Sequence, residues 1–290
     1  MNAKFNDEGA IFMGAQRNND DCKVVIYGVP YDGTTSFRPG ARFGPSAIRN
    51  ISNGIESFCP QLNIDLEDLN YSDFGCLNIP NGAPEPVIKL VKETTDKFIS
   101  KGNKPLILGG EHSITAGAVS AASKYYPSLI IVQLDAHADL RKTWMGSLNN
   151  HACVMSRCLE VLPSKKILQV GIRSGTKLEF IEIRKQKSFI PFKSGQLAEE
   201  LEKSLNEHLG IPIYLTIDLD WFDPSIMPGT GTPEPGGFLW QDFASIVDVL
   251  KNHNIVASDI VELAPELDNS NISSILAAKV ARSIIMLLSK

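Results

Sequence analysis

Short apolar runs alternate along the chain with longer segments in which apolar residues recur every three or four positions. The first pattern is typical of strands buried on both faces of a sheet, and the second of amphipathic helices. Strands are therefore predicted at 23–28, 105–108, 130–134, 167–172, 211–217 and 255–263, and helices at 86–101, 113–122, 197–209, 240–250 and 272–288. Strands that alternate with helices predict right-handed βαβ units, and hence an α/β fold around a mostly parallel sheet.

The segments between these elements refine the prediction. Ser113 can cap the helix that follows it, and Ser194 precedes the next predicted helix. Two segments rich in glycine and proline, 29–45 and 223–237, are predicted to be loops, and loops of that length in a compact domain are usually functional. Because the chain has no internal repeat and no polar linker, residues 1–290 are predicted to form one domain.

Composition excludes several classes of partner. The 290-residue chain is 43% hydrophobic, which is enough for a sizeable core, and its net charge of −5 offers no basic patch for nucleic acid or a membrane surface. The first residues lack the apolar core of a signal peptide, and no apolar stretch reaches the ~18 residues of a transmembrane helix. Five cysteines without a Cys-x-x-Cys pair are predicted to be free thiols. We therefore expect a cytoplasmic protein with neither nucleic acid nor membrane as partner.

The stretch over 130–139 joins a predicted strand to candidate metal ligands. Its first half, Ile-Ile-Val-Gln-Leu, is mostly apolar, and its second half places Asp135, His137 and Asp139 at alternate positions. In an extended backbone these three side chains point the same way. Three desolvated polar groups with no basic residue on the strand are costly unless a positive charge lies among them. The spacing therefore predicts a divalent metal.

Polar side chains also stand near the ends of three other predicted strands. His112, Asp218 with Asp220, and Glu262 fall near carboxyl ends, where ligands bind in open α/β sheets. The four aspartates would carry about −4, which two divalent cations would balance. Oxygen-rich ligands with one imidazole for each metal suit Mn²⁺ better than Zn²⁺, although affinity order also allows Zn, Ni or Co. Two metals ~3.5 to 4 Å apart can share a water and lower its pKa towards ~7.

Each of these features is weak by itself. Asp-x-Asp after a strand also begins phosphatases that form an aspartyl phosphate, and a single Asp at a strand end is more often a helix cap or turn residue. A lone His112 after two glycines is equally well explained by packing. Three separate strands that all place His or Asp at one edge are poorly explained by coincidence. A binuclear site is therefore the favoured interpretation.

Three motifs resemble the signatures of the ureohydrolase family, which includes arginase and agmatinase. They are Leu-Gly-Gly-Glu-His over 108–112, Val-Gln-Leu-Asp-Ala-His-Ala-Asp over 132–139 and Thr-Ile-Asp-Leu-Asp over 216–220. The resemblance runs from about Val25 to the C-terminus and implies a three-layer α/β/α fold, homotrimers or homohexamers, and two Mn²⁺ ions. It assigns His112 and Asp139 to one metal, His137 and Asp220 to the other, and Asp135 and Asp218 to both.

The resemblance also implies a reaction. Hydroxide that bridges the metals attacks the guanidinium carbon of a small guanidino substrate, and a tetrahedral intermediate collapses to urea and an amine. Asp139 would pass a proton to the leaving nitrogen, Glu262 would pair with the guanidinium, and His151 would shuttle protons. A carboxylate suits a planar guanidinium, and an imidazole titrates near neutrality. The alternatives are that Glu262 is an exposed residue at a strand end and that His151 is an inert loop residue.

Within the family, the loops over 28–45 and 228–237 look most like agmatinase, so hydrolysis of agmatine to putrescine and urea is the first choice. Cys76, Ala138 and the loop over 149–154 depart from the usual pattern. The last of these is expected to contact the tail of the substrate.

Arg141 adds to the alternatives, because a cation near the pocket would disfavour an ammonium tail and favour a carboxylate. Arginine, guanidinobutyrate and guanidinopropionate are therefore alternative substrates. A metal-binding homologue that does not catalyse is a further alternative. A single-zinc deacetylase of this fold would need an adjacent pair of histidines, which the sequence lacks.

Overall fold

Strands and α-helices mostly alternate in the computed structural model, which describes residues 4–6, 9–19, 21–186, 189–190 and 196–290. The strands are β1 (Phe5–Asn6), β2 (Gln16–Arg17), β3 (Val24–Val29), β4 (Phe58–Cys59), β5 (Ile64–Asp65), β6 (Tyr71–Leu77), β7 (Lys104–Gly109), β8 (Ile130–Leu134), β9 (Ile167–Val170), β10 (Phe189–Ile190), β11 (Pro212–Asp218) and β12 (Asn254–Val261). The helices are α1 (Gly44–Ser52), α2 (Pro84–Ser100), α3 (Thr115–Tyr125), α4 (Val154–Val161), α5 (Lys177–Gln186), α6 (Leu197–Asn206), α7 (Trp240–Leu250) and α8 (Ile272–Leu288).

The main sheet has the strand order β1-β6-β3-β7-β12-β11-β8-β9-β10, and β2 also pairs with β6. Its described pairs are parallel except for β1 with β6. A separate antiparallel pair is formed by β4 and β5. The predicted mostly parallel sheet is confirmed. Its order is not that of the sequence, because the last strand, β12, lies between β7 and β11.

Helices cover both faces of this sheet. Along β3, Val24 and Ile26 belong to a core shared with α1, α6, α7 and α8, whereas Val25 and Tyr27 belong to a core shared with α2, α3, α4 and α5. Neighbouring residues of a strand point to opposite faces, so one apolar run serves both cores. This arrangement is the expected three-layer α/β/α fold. Within the described ranges, no helix is long and apolar enough to cross a membrane.

Two local predictions about helix starts were wrong. The loop predicted over 29–45 is shorter, because Gly44 and Pro45 already belong to α1. Proline suits the first turn of a helix, where its missing N–H would have no partner. Ser113 does not cap α3, because its hydroxyl donates to a neighbouring glutamate at 2.5 Å. Ser194 lies outside the described residues.

The carboxyl ends of β7, β12, β11 and β8 lie side by side at one edge of the sheet. Glu262 directly follows β12, Asp135 directly follows β8, and Asp218 ends β11. His112 comes shortly after β7. The strand order therefore gathers the predicted site residues at this edge, as expected for an open α/β sheet.

Candidate metal centre and reaction cavity

Two groups of side chains at this edge could each hold a metal ion, and they share one carboxylate. In the first group, His112 Nδ1 lies 3.2 Å from Asp135 Oδ2 and 3.2 Å from Asp139 Oδ2. In the second group, His137 Nδ1 lies 2.8 Å from Asp220 Oδ2 and 3.8 Å from Asp135 Oδ1. The two oxygens of Asp135 thus face different histidines, which is the geometry of a bridging carboxylate.

Asp218, the sixth predicted ligand, lies against the first group. Its Oδ2 is 3.3 Å from His112 Nδ1, and its Oδ1 accepts a hydrogen bond from Asp220 N at 3.0 Å. This turn at the end of β11 separates the two carboxylates, so Asp218 faces His112 while Asp220 faces His137. The fold thus brings all six predicted ligands together. That they bind metals stays a prediction.

Asp135, His137 and Asp139 converge as the spacing predicted, but they do not lie on one continuous strand. Strand β8 ends just before Asp135, the chain bends at Ala136, and His137 forms an isolated parallel bridge with Ser174. His137 N donates to Asp135 Oδ1 at 2.6 Å, and Asp139 has a left-handed φ of 53°. The prediction of an extended backbone as far as Asp139 was therefore wrong. His137 faces Asp220, and both Asp135 and Asp139 face His112.

The hydrogen bonds of His112 show that the cluster fits a cation. Its Nδ1 is buried without a hydrogen-bond partner among the described residues, although three carboxylates lie within 3.3 Å. Its Nε2 is 2.8 Å from Thr216 Oγ1, and that hydroxyl donates to Asp259 Oδ1 at 2.6 Å. Thr216 must therefore accept the Nε2 proton, so the neutral form of His112 has its lone pair on Nδ1. A lone pair and several carboxylates around one point are a donor set for a divalent metal.

Burial and mutual repulsion oppose ionisation of this cluster. Burial raises the pKa of Asp135 to about 7, and the charges of Asp139 and Asp220 add to the shift. Burial also raises the pKa of Asp218 well above its usual value, again helped by neighbouring carboxylates. Burial opposes ionisation of Asp220 as well, but the adjacent His137 lowers the pKa of Asp220 to about 2. Divalent cations would relieve the repulsion that raises the first two values.

The same carboxylates favour the charged form of the two imidazoles. Burial by itself would lower the pKa of His112, but the surrounding aspartates raise it well above its usual value. Burial likewise disfavours charge on His137, yet Asp220 raises the pKa of His137 to about 11. Metals bind neutral imidazole, so metal binding at this cluster would release protons.

Buried polar residues that the sequence analysis did not single out support the ligands. Asp259 accepts hydrogen bonds from Thr216 and from two further buried hydroxyls at 2.6 to 2.7 Å. Gln133 Nε2 donates to Asp135 Oδ2 at 2.8 Å and thereby helps to fix its orientation. Thr216 and Gln133 are polar positions inside apolar strands, and buried polar groups need partners. That signal was available in the sequence.

A cavity of about 220 Å³ opens beside the cluster and is lined by His137, Asp139, Asp218 and His151. His151 Nδ1 lies 3.8 Å from Glu262 Oε1, and the same oxygen accepts a hydrogen bond from the His112 backbone N–H at 2.8 Å. Burial lowers the pKa of His151 below its usual value, so its imidazole is neutral at neutral pH. Glu262 has a φ of 67°, a strained conformation of the kind that collects at functional sites.

Arg141 and Trp144 line the same cavity. The guanidinium carbon of Arg141 lies 3.9 Å from the centroid of the Trp144 ring, and its Nε lies 3.9 Å from Glu179 Oε2. Glu179 is buried and already accepts hydrogen bonds from Leu140 and Thr176. The side chain of Arg141 donates no hydrogen bond to the described residues, so its charge is available to a ligand in the cavity.

The three-layer fold with an acidic, histidine-containing sheet edge defines an arginase-fold protein. The Arginase family model matches residues 22–287. The chain therefore belongs to the arginase family, and it is an amidinohydrolase.

Relatives with assigned activities align over most of the chain. The agmatinase of Bacillus subtilis is 35% identical over 280 residues, which are 96% of each protein. The N(1)-aminopropylagmatine ureohydrolase of Thermococcus kodakarensis is 37% identical over 250 residues, 85% of this chain and 84% of that protein. The crystal structure of agmatine ureohydrolase of Thermoplasma volcanium has a TM-score of 0.84 at 32% identity and covers 95% of this chain and 93% of that one. The resemblance to the ureohydrolases is confirmed.

Proposed function

We propose that the protein hydrolyses agmatine to putrescine and urea with two divalent metal ions, of which Mn²⁺ suits the ligands best. The observation that carries this proposal is the pair of ligand groups joined by Asp135, beside a cavity that also contains His151. The agmatinase of Bacillus subtilis and the agmatine ureohydrolase of Thermoplasma volcanium support agmatine as the substrate. Oxygen-rich ligands with one imidazole for each metal favour Mn²⁺ over Zn²⁺.

The metals would be held by the six ligands in two overlapping groups. When bound, two such cations lower the pKa of a water towards ~7 and so supply a nucleophile at neutral pH. We assign His112 and Asp139 to one metal, His137 and Asp220 to the second, and Asp135 and Asp218 to both.

Glu262 is proposed to bind the guanidinium of the substrate. Its carboxylate is buried next to His112 and His151, and burial together with the nearby Glu111 raises the pKa of Glu262 well above its usual value. A planar guanidinium can donate two hydrogen bonds to such a carboxylate and supplies the missing positive charge. Glu262 would thereby orient the guanidinium beside the metal ligands.

Asp139 and His151 are proposed to move protons, since both line the cavity. Asp139 would carry a proton to the leaving nitrogen. His151 is neutral because burial lowers its pKa, so it can take up a proton. Its Nε2 is 3.0 Å from the hydroxyl of the exposed Ser36, which provides a route from the cavity to solvent.

A second candidate substrate is N(1)-aminopropylagmatine, because the relative from Thermococcus kodakarensis acts on it by name. It shares the guanidinium with agmatine and differs in its longer tail. Arginine, guanidinobutyrate and guanidinopropionate are further candidates, because Arg141 on the cavity wall would attract a carboxylate tail. These candidate substrates share the guanidinium group and differ in the tail attached to it, so the contacts of the tail would decide among them.

The test is a urea-release assay on a panel of guanidino compounds, with metal content measured on the same sample. Protein loaded with Mn²⁺ should contain about two metals per chain and release urea from agmatine with the highest kcat/KM. The Glu262→Gln variant should lose about 2 kcal/mol or more of transition-state binding, roughly 30-fold in kcat/KM, because a buried charge pair is removed. Glu266→Gln, which changes an exposed carboxylate, should leave the rate unaltered.

The outcomes separate the alternatives. Faster release of urea from another guanidino compound would replace agmatine as the substrate and keep the chemistry. Absence of urea from the whole panel with metals loaded would indicate a metal-binding homologue without catalysis. Amide cleavage with one metal per chain would indicate a deacetylase.

We further propose that residues 1–290 form a single domain that acts in the cytoplasm as a homotrimer or homohexamer. Strands from both ends of the chain share one sheet, and α8 packs in one core with α1, which supports a single folding unit. Sedimentation of the purified protein tests the assembly. A monomer at micromolar concentration would contradict it.

A further inference from the structure

A chain of hydrogen bonds links three loops around the reaction cavity. It starts at Glu111, which is fully buried. Glu111 Oε2 accepts a hydrogen bond from Thr34 N at 2.6 Å, and Oε1 accepts from the hydroxyls of Thr34 and Ser113 at 2.5 Å each. Two hydrogen bonds from Thr34 to this one carboxyl group tie the loop that contains Thr34 to the end of β7.

Thr34 is also hydrogen-bonded to the loop that contains His151. The Thr34 hydroxyl, which donates to Glu111, accepts a hydrogen bond from His151 N at 3.1 Å. The carbonyl of Thr34 accepts from Asn150 Nδ2 at 3.1 Å. One residue therefore fixes both the backbone of His151 and the residue before it.

The segment Gly110–Glu111, at the end of β7, also fixes the backbone of Glu262, which faces His151. Glu262 N donates to the carbonyl of Gly110 at 2.8 Å, and Glu111 N donates to the carbonyl of Tyr31 at 2.7 Å. A Cβ at Gly110 would lie 1.8 Å from that Tyr31 oxygen, so only glycine allows the loop to come this close. The result is a separation of 3.8 Å between His151 Nδ1 and Glu262 Oε1.

We propose that Thr34, anchored on Glu111, is a positioning residue that sets His151 against Glu262 on the wall of the reaction cavity. This inference rests on the proposed function, because it needs His151 to take part in turnover. Among the described residues, Thr34 makes no hydrogen bond to the six predicted metal ligands, and its bonds outside its own loop go to Glu111, Asn150 and His151. A misplacement of about 1 Å can cost up to 10²-fold in rate.

The experiment compares Thr34→Val with Thr35→Val. Both changes replace a hydroxyl by a methyl of similar shape in the same loop. The Thr35 hydroxyl is buried and has no hydrogen-bond partner in the described structure, so its removal breaks no bond. We expect Thr34→Val to lower kcat by about 10- to 100-fold with little change in KM or metal content, and Thr35→Val to match the wild type. Thr34→Ser, which restores the hydroxyl, should recover most of the rate.

A double-mutant cycle separates positioning from general damage. In a His151→Ala background, Thr34→Val should cost almost nothing further, because the side chain that it positions is gone. A crystal structure of Thr34→Val should show the imidazole displaced by about 1 Å or more from its place beside Glu262. If Thr34→Val fails to fold, Thr34→Ala serves in the same cycle.

The inference is overturned if Thr34→Val turns over like Thr35→Val, if its loss follows loss of metal, or if the cycle is additive. Each of these requires a wild-type enzyme that releases urea. A wild-type protein that releases no urea from any guanidino compound overturns the proposed function instead, and the two failures are thus distinguishable.

Discussion

Arg141 places a positive charge on the wall of the cavity where the tail of a substrate would lie. It stacks on Trp144 and has one loosely placed carboxylate partner, Glu179, at 3.9 Å. Its charge is therefore only partly balanced. A passing ammonium group is repelled by it, and a carboxylate is attracted.

Replacing Arg141 by Met removes this charge and keeps a flexible apolar side chain over Trp144. We expect KM for agmatine to fall and KM for guanidinobutyrate to rise, each by up to about fivefold, because partly exposed charge pairs are worth about 0.2 to 1 kcal/mol. Steady-state kinetics with both substrates measure this. Lys142→Met makes the same change of charge at an exposed neighbour outside the cavity wall and should leave both constants unaltered. Shifts in the same direction for the two substrates would show that the tail does not reach Arg141.

The identity of the site residues was easier to predict than their partners. His112, Asp135 and Asp218 each stand near the end of an apolar run, and such runs form the buried strands whose ends meet at one edge. The pairing of His137 with Asp220 depends on β8 lying next to β11, which the spacing did not reveal. Contacts between distant loops, such as the Thr34 hydroxyl with His151 N, leave no local pattern in the sequence.

At the scale of elements, the start of α8 depends on a carboxylate that precedes the helix. Asn271, the N-cap residue, has a φ of 61° and makes no side-chain capping bond. Asp268 takes that role, because its Oδ2 accepts from Ser273 N at 2.7 Å and its Oδ1 accepts from Ser270 N at 2.9 Å. Burial opposes ionisation of Asp268, but these hydrogen bonds lower its pKa to about 2.

Replacing Asp268 by Ala should lower the free energy of unfolding by about 1 to 2 kcal/mol near neutral pH, the usual cost of losing a capping side chain. The folded pKa lies below the ordinary value of 3.8, so the ionised carboxylate stabilises the protein above about pH 4. That contribution is lost as the pH falls through about 2. The difference between wild type and variant should therefore be constant near neutrality and shrink in acid, as denaturant unfolding can measure.

Glu266→Ala is the matched control, since it removes an exposed carboxylate from the same segment. It should leave the unfolding free energy within about 0.5 kcal/mol of the wild type. A difference for Asp268→Ala that persists undiminished in acid would contradict a role for its charge in capping.

The predicted strands and helices are all present because each has a strong local pattern, whereas β6, α1, α4 and α5 were not predicted. Helix α1 was missed because Gly44 and Pro45 favour a loop in sequence, although proline is well tolerated in the first turn of a helix. Helix α2 begins at Pro84, before its first apolar residue, for the same reason. Element boundaries thus depend on which backbone groups find partners, and the hydrophobic pattern does not report this.

At the scale of the molecule, the decisive feature is the insertion of β12 between β7 and β11. It brings Glu262 next to the backbone of His112, although Glu262 is the last site residue in the chain. Local patterns predict strands without their order, and many orders satisfy the same alternation of strands and helices. The resemblance to the ureohydrolases implied the three layers of the fold, but no strand order was predicted.

Because the six predicted ligands come from three separate segments of the chain, metal binding should stabilise the whole fold. A ligand present at 100 times its Kd stabilises the native state by about 2.7 kcal/mol for each site. With a shift of about 2 to 4 °C for each kcal/mol, one filled site should raise Tm by about 5 to 10 °C. Thermal unfolding of chelated protein, with and without added Mn²⁺, measures this.

Asp135→Asn gives the sharpest comparison, because Asp135 belongs to both ligand groups. Removing its charge should weaken both sites, so the variant should show a much smaller Mn²⁺-dependent rise in Tm and bind less metal at equilibrium. It should also lose less stability on chelation than the wild type does. Asp268→Ala lowers Tm through the helix cap and should keep the full Mn²⁺-dependent rise. If Asp135→Asn kept that rise as well, the stabilising ions would bind elsewhere, and the shared carboxylate would not join two metal sites.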